Sequence, residues 1–285
     1  MPALYDSIGT GYNATRRADC RIVDCIVELL DLAPGRRVLD VGAGTGSYSL
    51  ALAERGYEMV ALEPSSVMRD QAQAGVPVTW VEGTAESLPF PDGSFDGAIL
   101  ILCIHHFADK PAAFAEVRRV VSSGPIVIFT YDPDAIDSPW LFHYFPAFRT
   151  QIRGAFPTLS TLGEAFRCTD SISARPFPLP HDLVDGFAGA AWRYPERYLE
   201  RDFREGTSAF RQTDPSLCEE GLATLERDLE SGAWDVRFGA IRSLQEYGHG
   251  YTFVTIKPPK SVVGGHSAAL PAPFCFARKD NGSNR

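Results

Sequence analysis

The sequence predicts an α/β fold in which a doubly wound, mostly parallel sheet carries helices on both faces, and three observations support this. Apolar runs of strand length alternate with helical patterns from Val38 to Tyr131. One of these runs, Phe95 to Leu102, is nearly unbroken, as a strand covered on both faces requires. The first strand pattern also ends in a glycine cluster that opens directly into a helix.

Taken in order, Ile22, Val23, Ile26, Val27, Leu29 and Leu30 repeat at spacings of three and four within residues 16 to 33, which predicts a helix with one buried face, closed by Pro34 and Gly35. Val38 to Val41 is the first strand, and Tyr48 to Arg55 the helix after the glycine turn. The unit then repeats: strand Glu58 to Leu62, helix Ser65 to Ala74, strand Pro77 to Val81. Strand Phe95 to Leu102 leads to a helix capped by Asp109 that runs to Val121, and Gly124-Pro125 introduces strand Ile126 to Tyr131.

Residues 1 to 132 therefore form the expected core. The texture changes beyond it: 133 to 180 are rich in proline and aromatics and show no long periodic stretch, which reads as a loop-rich insertion or lid. Helical patterns return between about Asp182 and Leu229, so 133 to 249 is expected to hold the insertion, its helices and a possible sixth strand. Gly250 to Ile256 alternates as a final core strand, with 250 to 257 assigned to it, and 258 to 285 is a Pro-, Gly- and Ser-rich tail expected to be disordered.

Composition narrows the function classes. The 285 residues carry a formal charge of -9 and no basic run longer than two, which opposes a nucleic-acid footprint. Six cysteines lie at 20, 25, 103, 168, 218 and 275 without a C-x-x-C pair, so neither a metal site nor a disulfide framework is expected. Neither a signal peptide nor a membrane-length apolar run is evident, and a cytoplasmic location is expected.

The strongest motif is VLDVGAGTGSYS, residues 38 to 49, with Gly42, Gly44 and Gly46 at the end of the first strand. Glycines suit a place where the chain turns sharply and a ligand approaches bare backbone. In an open parallel sheet that place lies at the carboxyl ends of the strands, beside the switch in strand order. The dinucleotide fingerprint G-x-G-x-x-G would need glycine at 47, where this chain has Ser47, so a nicotinamide-dependent dehydrogenase is the weaker alternative.

The acid-x-G-x-G-x-G pattern instead resembles the class I S-adenosylmethionine methyltransferases, with a seven-stranded, Rossmann-like sheet. GTAESLPFPDGSFD (83 to 96), LCIHHF (102 to 107) and the opening YDSIGTGYNATRR (5 to 17) are similar to segments of the ubiquinone and menaquinone subgroup. The resemblance implies S-adenosylmethionine as cofactor and methyl transfer to a small-molecule acceptor, with the methylated atom left open. It implies that Asp40 holds the methionyl amine, that Gly42, Ala43, Gly44 and Gly46 lie against the ligand, and that Glu63 beside Pro64 accepts from the ribose hydroxyls. Thr84, Ala85 and Glu86 would contact adenine, although Thr84 stands where the family usually has an acid. Cys103 and Ile104 would line the methionyl end, and Tyr5, Tyr12 and Arg16 would close over it, Arg16 by pairing with the carboxylate or else as the solvated start of a helix.

Methyl transfer from a sulfonium needs alignment and a dry site more than a fixed catalytic group. A hydroxyl or ammonium acceptor also needs a base, for which His106, His143 and His181 are candidates, His106 first; for His105, capping of the next segment weighs as much as any role. Trp140, Phe142, His143, Tyr144, Phe145, Trp192 and Tyr194 form either an acceptor pocket or the insertion's own core. On the first reading the acceptor sits between His106 and Tyr144. A cofactor-binding cyclase or regulator shares the fold and stays open. A nucleic-acid methylase is opposed by the charge and by LCIHHF, which lacks the Asn-Pro-Pro-aromatic motif of amino-methylating DNA enzymes.

Overall fold

The computed structural model describes residues 15–72, 77–135, 140–166 and 171–258. Tyr5, Tyr12 and the tail from 259 onward lie outside the described residues. Helix α1 (Cys20–Leu30) begins at Asp19, whose carboxylate accepts from the Arg21 amide, and ends at Asp31 in the left-handed conformation. Strand β1 (Arg37–Val41) then feeds the glycine turn and helix α2 (Ser47–Ala53). Strand β2 (Glu58–Leu62) is followed by a helix of a single turn, α3 (Ser66–Arg69), shorter than its sequence pattern suggests, and by strand β3 (Val78–Val81). Strand β4 (Gly97–Ile101) leads through a 3₁₀ turn at Ile104–His106 to α4 (Lys110–Val120) and β5 (Ile126–Tyr131).

Between β5 and the last strand, the chain forms short helices rather than open loop. These are α5 (Leu141–Tyr144), α6 (Pro146–Ala155) and α7 (Leu159–Ala165). They lie where the sequence shows no long period because each spans too few turns to establish one. Strand β6 (Ser171–Pro176) also starts inside the stretch read as loop. It is an exposed edge strand, so it lacks the apolar alternation that marks a strand with one buried face. The two-residue strand β7 (Leu179–Pro180), α8 (Arg201–Glu205), α9 (Ser208–Gln212), α10 (Pro215–Glu230), α11 (Ala233–Phe238) and the short β8 (Glu246–Tyr247) complete the insertion. Strand β9 (Tyr251–Lys257) returns to the core.

The seven-stranded sheet runs β3-β2-β1-β4-β5-β9-β6. Strands β1 to β5 are parallel, while β9 lies antiparallel between β5 and β6, with Ile126 opposite Ile256 and Tyr131 opposite Tyr251. Alternate residues of β1 point to opposite faces. Leu39 and Val41 join the cluster under α4 and α7, whereas Val38 joins the one under α1. A third cluster, built on Trp140, Tyr198, Phe203 and Trp234, is the insertion's own core. No helix among the described residues is long and apolar enough to cross a membrane.

Candidate functional site

Strand order reverses between β1 and β4, and a cleft of about 640 Å³ opens there at the strands' carboxyl ends. Its floor is the glycine turn. Gly42, Gly44 and Gly46 have φ of 70°, 61° and 80°, left-handed values that other residues adopt only at a cost. Close approach adds a second requirement at two of them. A Cβ on Gly42 would sit 2.9 Å from Cβ of Cys103, and one on Gly46 would sit 2.5 Å from the Trp80 ring.

Two buried carboxylates face this turn. Asp40, at the end of β1, accepts from the Ser49 hydroxyl at 2.6 Å. Burial, followed by the neighbouring Glu63 charge and opposed by that hydrogen bond, pushes its carboxyl up to about 7. Glu63 follows β2, and its two oxygens accept from the Gly44 amide at 2.9 Å and the Ser65 amide at 3.0 Å. The turn is latched to β2 in a second way, since the amides of Gly42 and Ala43 both donate to the Leu62 carbonyl. A cleft of this size, floored by bare backbone and walled by two buried acids, suits a ligand that brings a cation to Asp40 and hydroxyls to Glu63. S-Adenosylmethionine meets that description with its ammonium and its ribose.

The far wall is the segment 82–86. Thr84 and Ser87 form an isolated bridge, Ala85 is buried, and Glu86 accepts from the Ala108 amide at 2.8 Å, tying this loop to the end of the 3₁₀ turn. Cys103 donates its thiol to the Val41 carbonyl at 3.0 Å, bridging the ends of β1 and β4. Burial, reinforced by Asp40 and Glu63, raises that thiol well above its ordinary range, so it remains protonated.

Arg16, Asp40, Gly42, Ala43, Gly44, Glu63, Pro64, Thr84, Ala85, Glu86, Cys103 and His106 all line the cleft. Gly46 faces an adjoining cavity beside Trp80. Ile104 does not line the cleft: the 3₁₀ turn buries its side chain fully in the core cluster with Phe114. Arg16 pairs with Asp185 at 2.6 Å, and Asp185 also accepts from the Tyr48 hydroxyl at 2.9 Å, so the insertion is tied to the glycine-turn helix through a buried acid. No local signal in the sequence links Tyr48 and Asp185, which stand 137 positions apart.

The remaining candidates lie elsewhere. Tyr144 is buried in the insertion's core and donates its hydroxyl to Asp228 at 2.8 Å. Tyr144 therefore does not line the cleft with His106 as expected, because at the end of α5 its ring packs against Trp140 and Phe238. His143 is exposed against Arg237, and His181 is 3.4 Å from the Tyr194 hydroxyl. Trp140 and Trp192 donate their indole N–H groups to the carbonyls of Trp192 and Leu179, as core tryptophans do. His106 reaches the cleft, but burial first, then Arg16 and Lys110, push its imidazole down to about 4, so it is neutral at physiological pH.

Comparison with known proteins agrees with this geometry. A methyltransferase-domain family model matches residues 39–129. Uncharacterised methyltransferases from Mycobacterium bovis and Mycobacterium tuberculosis are each 39% identical over 119 residues, 41% of this chain and 49% of theirs, so the chain spans about half the length of those relatives. The demethylmenaquinone methyltransferase of Thermus thermophilus is 30% identical over 210 residues, covering 67% of this chain and 93% of that protein. A crystal structure from Anabaena variabilis, provisionally described as a methyltransferase of an antibiotic biosynthesis pathway, superposes with a TM-score of 0.81 at 43% identity, covering 85% of this chain and 98% of that one. Fold, cleft and relatives together place this chain in the class I S-adenosylmethionine-dependent methyltransferases.

Proposed function

We propose that the protein transfers the methyl group of S-adenosylmethionine to a small organic acceptor as a cytoplasmic enzyme without a nucleic-acid partner. The observation that carries this reading is the pairing of Asp40 and Glu63, both at most 5% exposed, around a turn that only glycine occupies without strain. Asp40 holds the methionyl ammonium, Glu63 accepts from the ribose hydroxyls with the lone pairs its backbone donors leave, and Ala85 and Glu86 flank the adenine. When bound, the sulfonium supplies an already activated methyl group, so the chain's own contribution is alignment and exclusion of water. The relatives support a small acceptor, one acting on demethylmenaquinone and another coming from an antibiotic pathway.

Calorimetry with S-adenosylhomocysteine tests the assignment. Glu63→Ala should weaken binding by about 1–3 kcal/mol, the range for removing a charged hydrogen-bond partner. A folded variant with wild-type affinity would remove Glu63 from the site, and an absence of binding by the wild type would remove the function.

A further inference from the structure

A second, smaller cavity of about 70 Å³ adjoins the cofactor cleft, the two sharing Arg16 and Leu102 as walls. Its sides are aromatic: Phe156 stacks on His105 at 4.2 Å and 18°, and Tyr131 lies 5.8 Å from Phe156 and 5.0 Å from Tyr251. Two of its lining residues hold a polar atom buried without a hydrogen-bond partner, Nδ1 of His105 and the hydroxyl of Tyr131. Buried polar groups are normally satisfied, and two exceptions among the lining residues of one cavity call for a ligand that completes them. Neither group belongs to the cofactor cleft lining.

We propose that this cavity is the acceptor site and that it takes the hydroxyl-bearing edge of a compact, neutral phenol, addressed by His105 Nδ1 and the Tyr131 hydroxyl. The proposal rests on the methyl-transfer reading above and specifies its substrate class. Shape gives the first argument, because a cavity about half the roughly 150 Å³ that holds benzene admits the edge of one flat ring and leaves the rest toward Leu102.

Charge gives the second. An ammonium acceptor would bury a cation against aromatic and neutral groups, with no carboxylate among the described residues of this lining to pair with it. A carboxylate would bury a full charge against neutral groups, since Arg16 is already ion-paired with Asp185. A phenol enters uncharged. Burial first, then His106, Lys110 and Arg16, hold the His105 ring neutral, so in the tautomer with hydrogen on Nε2 its Nδ1 accepts the phenolic hydrogen. Burial likewise keeps the Tyr131 hydroxyl protonated and a donor.

The step balances. The phenolic proton passes to Nδ1, the oxygen forms its bond to the methyl carbon, and the carbon–sulfur bond breaks with its electron pair kept by sulfur. The positive charge brought in on sulfur thus leaves on the imidazole, and the total charge of the site is unchanged. Solvent then takes the proton.

The test adds 4-nitrophenol to the full chain in the presence of S-adenosylhomocysteine and follows the nitrophenol absorbance. Wild type should bind, and Tyr131→Phe and His105→Gln should each bind about tenfold more weakly, the loss of one hydrogen bond. Both variants should keep wild-type affinity for S-adenosylhomocysteine by calorimetry, which shows that they fold. With S-adenosylmethionine, mass spectrometry should find the methyl ether, and His105→Gln should form it at least about a hundredfold more slowly, as loss of a general base implies. Nitrophenol binding that ignores both substitutions, or a preference for benzoate or benzylamine, would overturn the phenol assignment while leaving the cofactor reading intact. Failure of S-adenosylhomocysteine to bind wild type would instead defeat the methyl-transfer reading beneath it.

Discussion

In the cofactor cleft the polar groups are held mainly by backbone, whereas in the insertion's core aromatic side chains hold one another. Glu63 is fixed by two amides and the glycine turn by the Leu62 carbonyl. In the insertion, Trp140 packs edge-to-face on Tyr198 at 5.1 Å and on Trp234 at 5.7 Å, and the tyrosine hydroxyls are secondary fastenings. A site built from backbone keeps its shape when a side chain is trimmed but loses its ligand, while a core built from rings should show the reverse.

The largest expected effect lies on the aromatic side. Trp234→Ala removes a fully buried indole and should cost about 3–5 kcal/mol in denaturant unfolding. In the remaining folded protein, affinity for S-adenosylhomocysteine should match wild type. A large loss of affinity would show that the two regions are coupled, the Arg16–Asp185–Tyr48 contacts being the route.

On the backbone side, pH supplies the sharper probe. Asp40 titrates near 7 in the folded cleft against about 4 in the unfolded chain. Between those values the folded state holds the extra proton, so this group makes stability fall as pH rises from about 4 to 7, by about 1.4 kcal/mol per unit at most, and level off above. Asp40→Asn should flatten that slope in unfolding measured across the window, and an unchanged slope would assign it to other groups. The smallest effect is expected for Tyr144→Phe, about 1 kcal/mol of stability for the lost bond to Asp228, with no change in cofactor affinity. A change in that affinity would return Tyr144 to the site from which the structure separates it.

The same contrast explains what was legible in the sequence. The glycine turn, Asp40 and Glu63 are readable because a left-handed backbone restricts residue choice and because the three features fall within one repeat of strand and helix. Aromatic residues carry no such mark: Tyr144 in a core and Tyr131 beside a cavity are equally apolar in pattern. The small cavity is hidden for a further reason. Its walls come from the ends of β4 and β5, from α6 and from residues near 187, 207 and 251, which only the folded sheet brings together. The possible sixth strand expected within 133 to 249 is β6, whose position the sequence does not mark because its residues are mostly exposed and end in proline, so burial leaves no periodic imprint on them.

One feature of the sheet bears on how the chain is made rather than on what it binds. Strand β9 pairs with β5 through residues such as Ile256 and Ile126, 130 positions apart, and β6 reaches the sheet only through β9. During synthesis from the N-terminus, β5, whose six residues are all buried in the finished sheet, waits as an open apolar edge while the entire insertion is translated. Closing a loop of that length is slow, and the exposed edge is a place where a second nascent chain can dock in the wrong partner's position. The insertion has an aromatic core of its own, and packing that core shortens the effective loop that β9 must close onto β5.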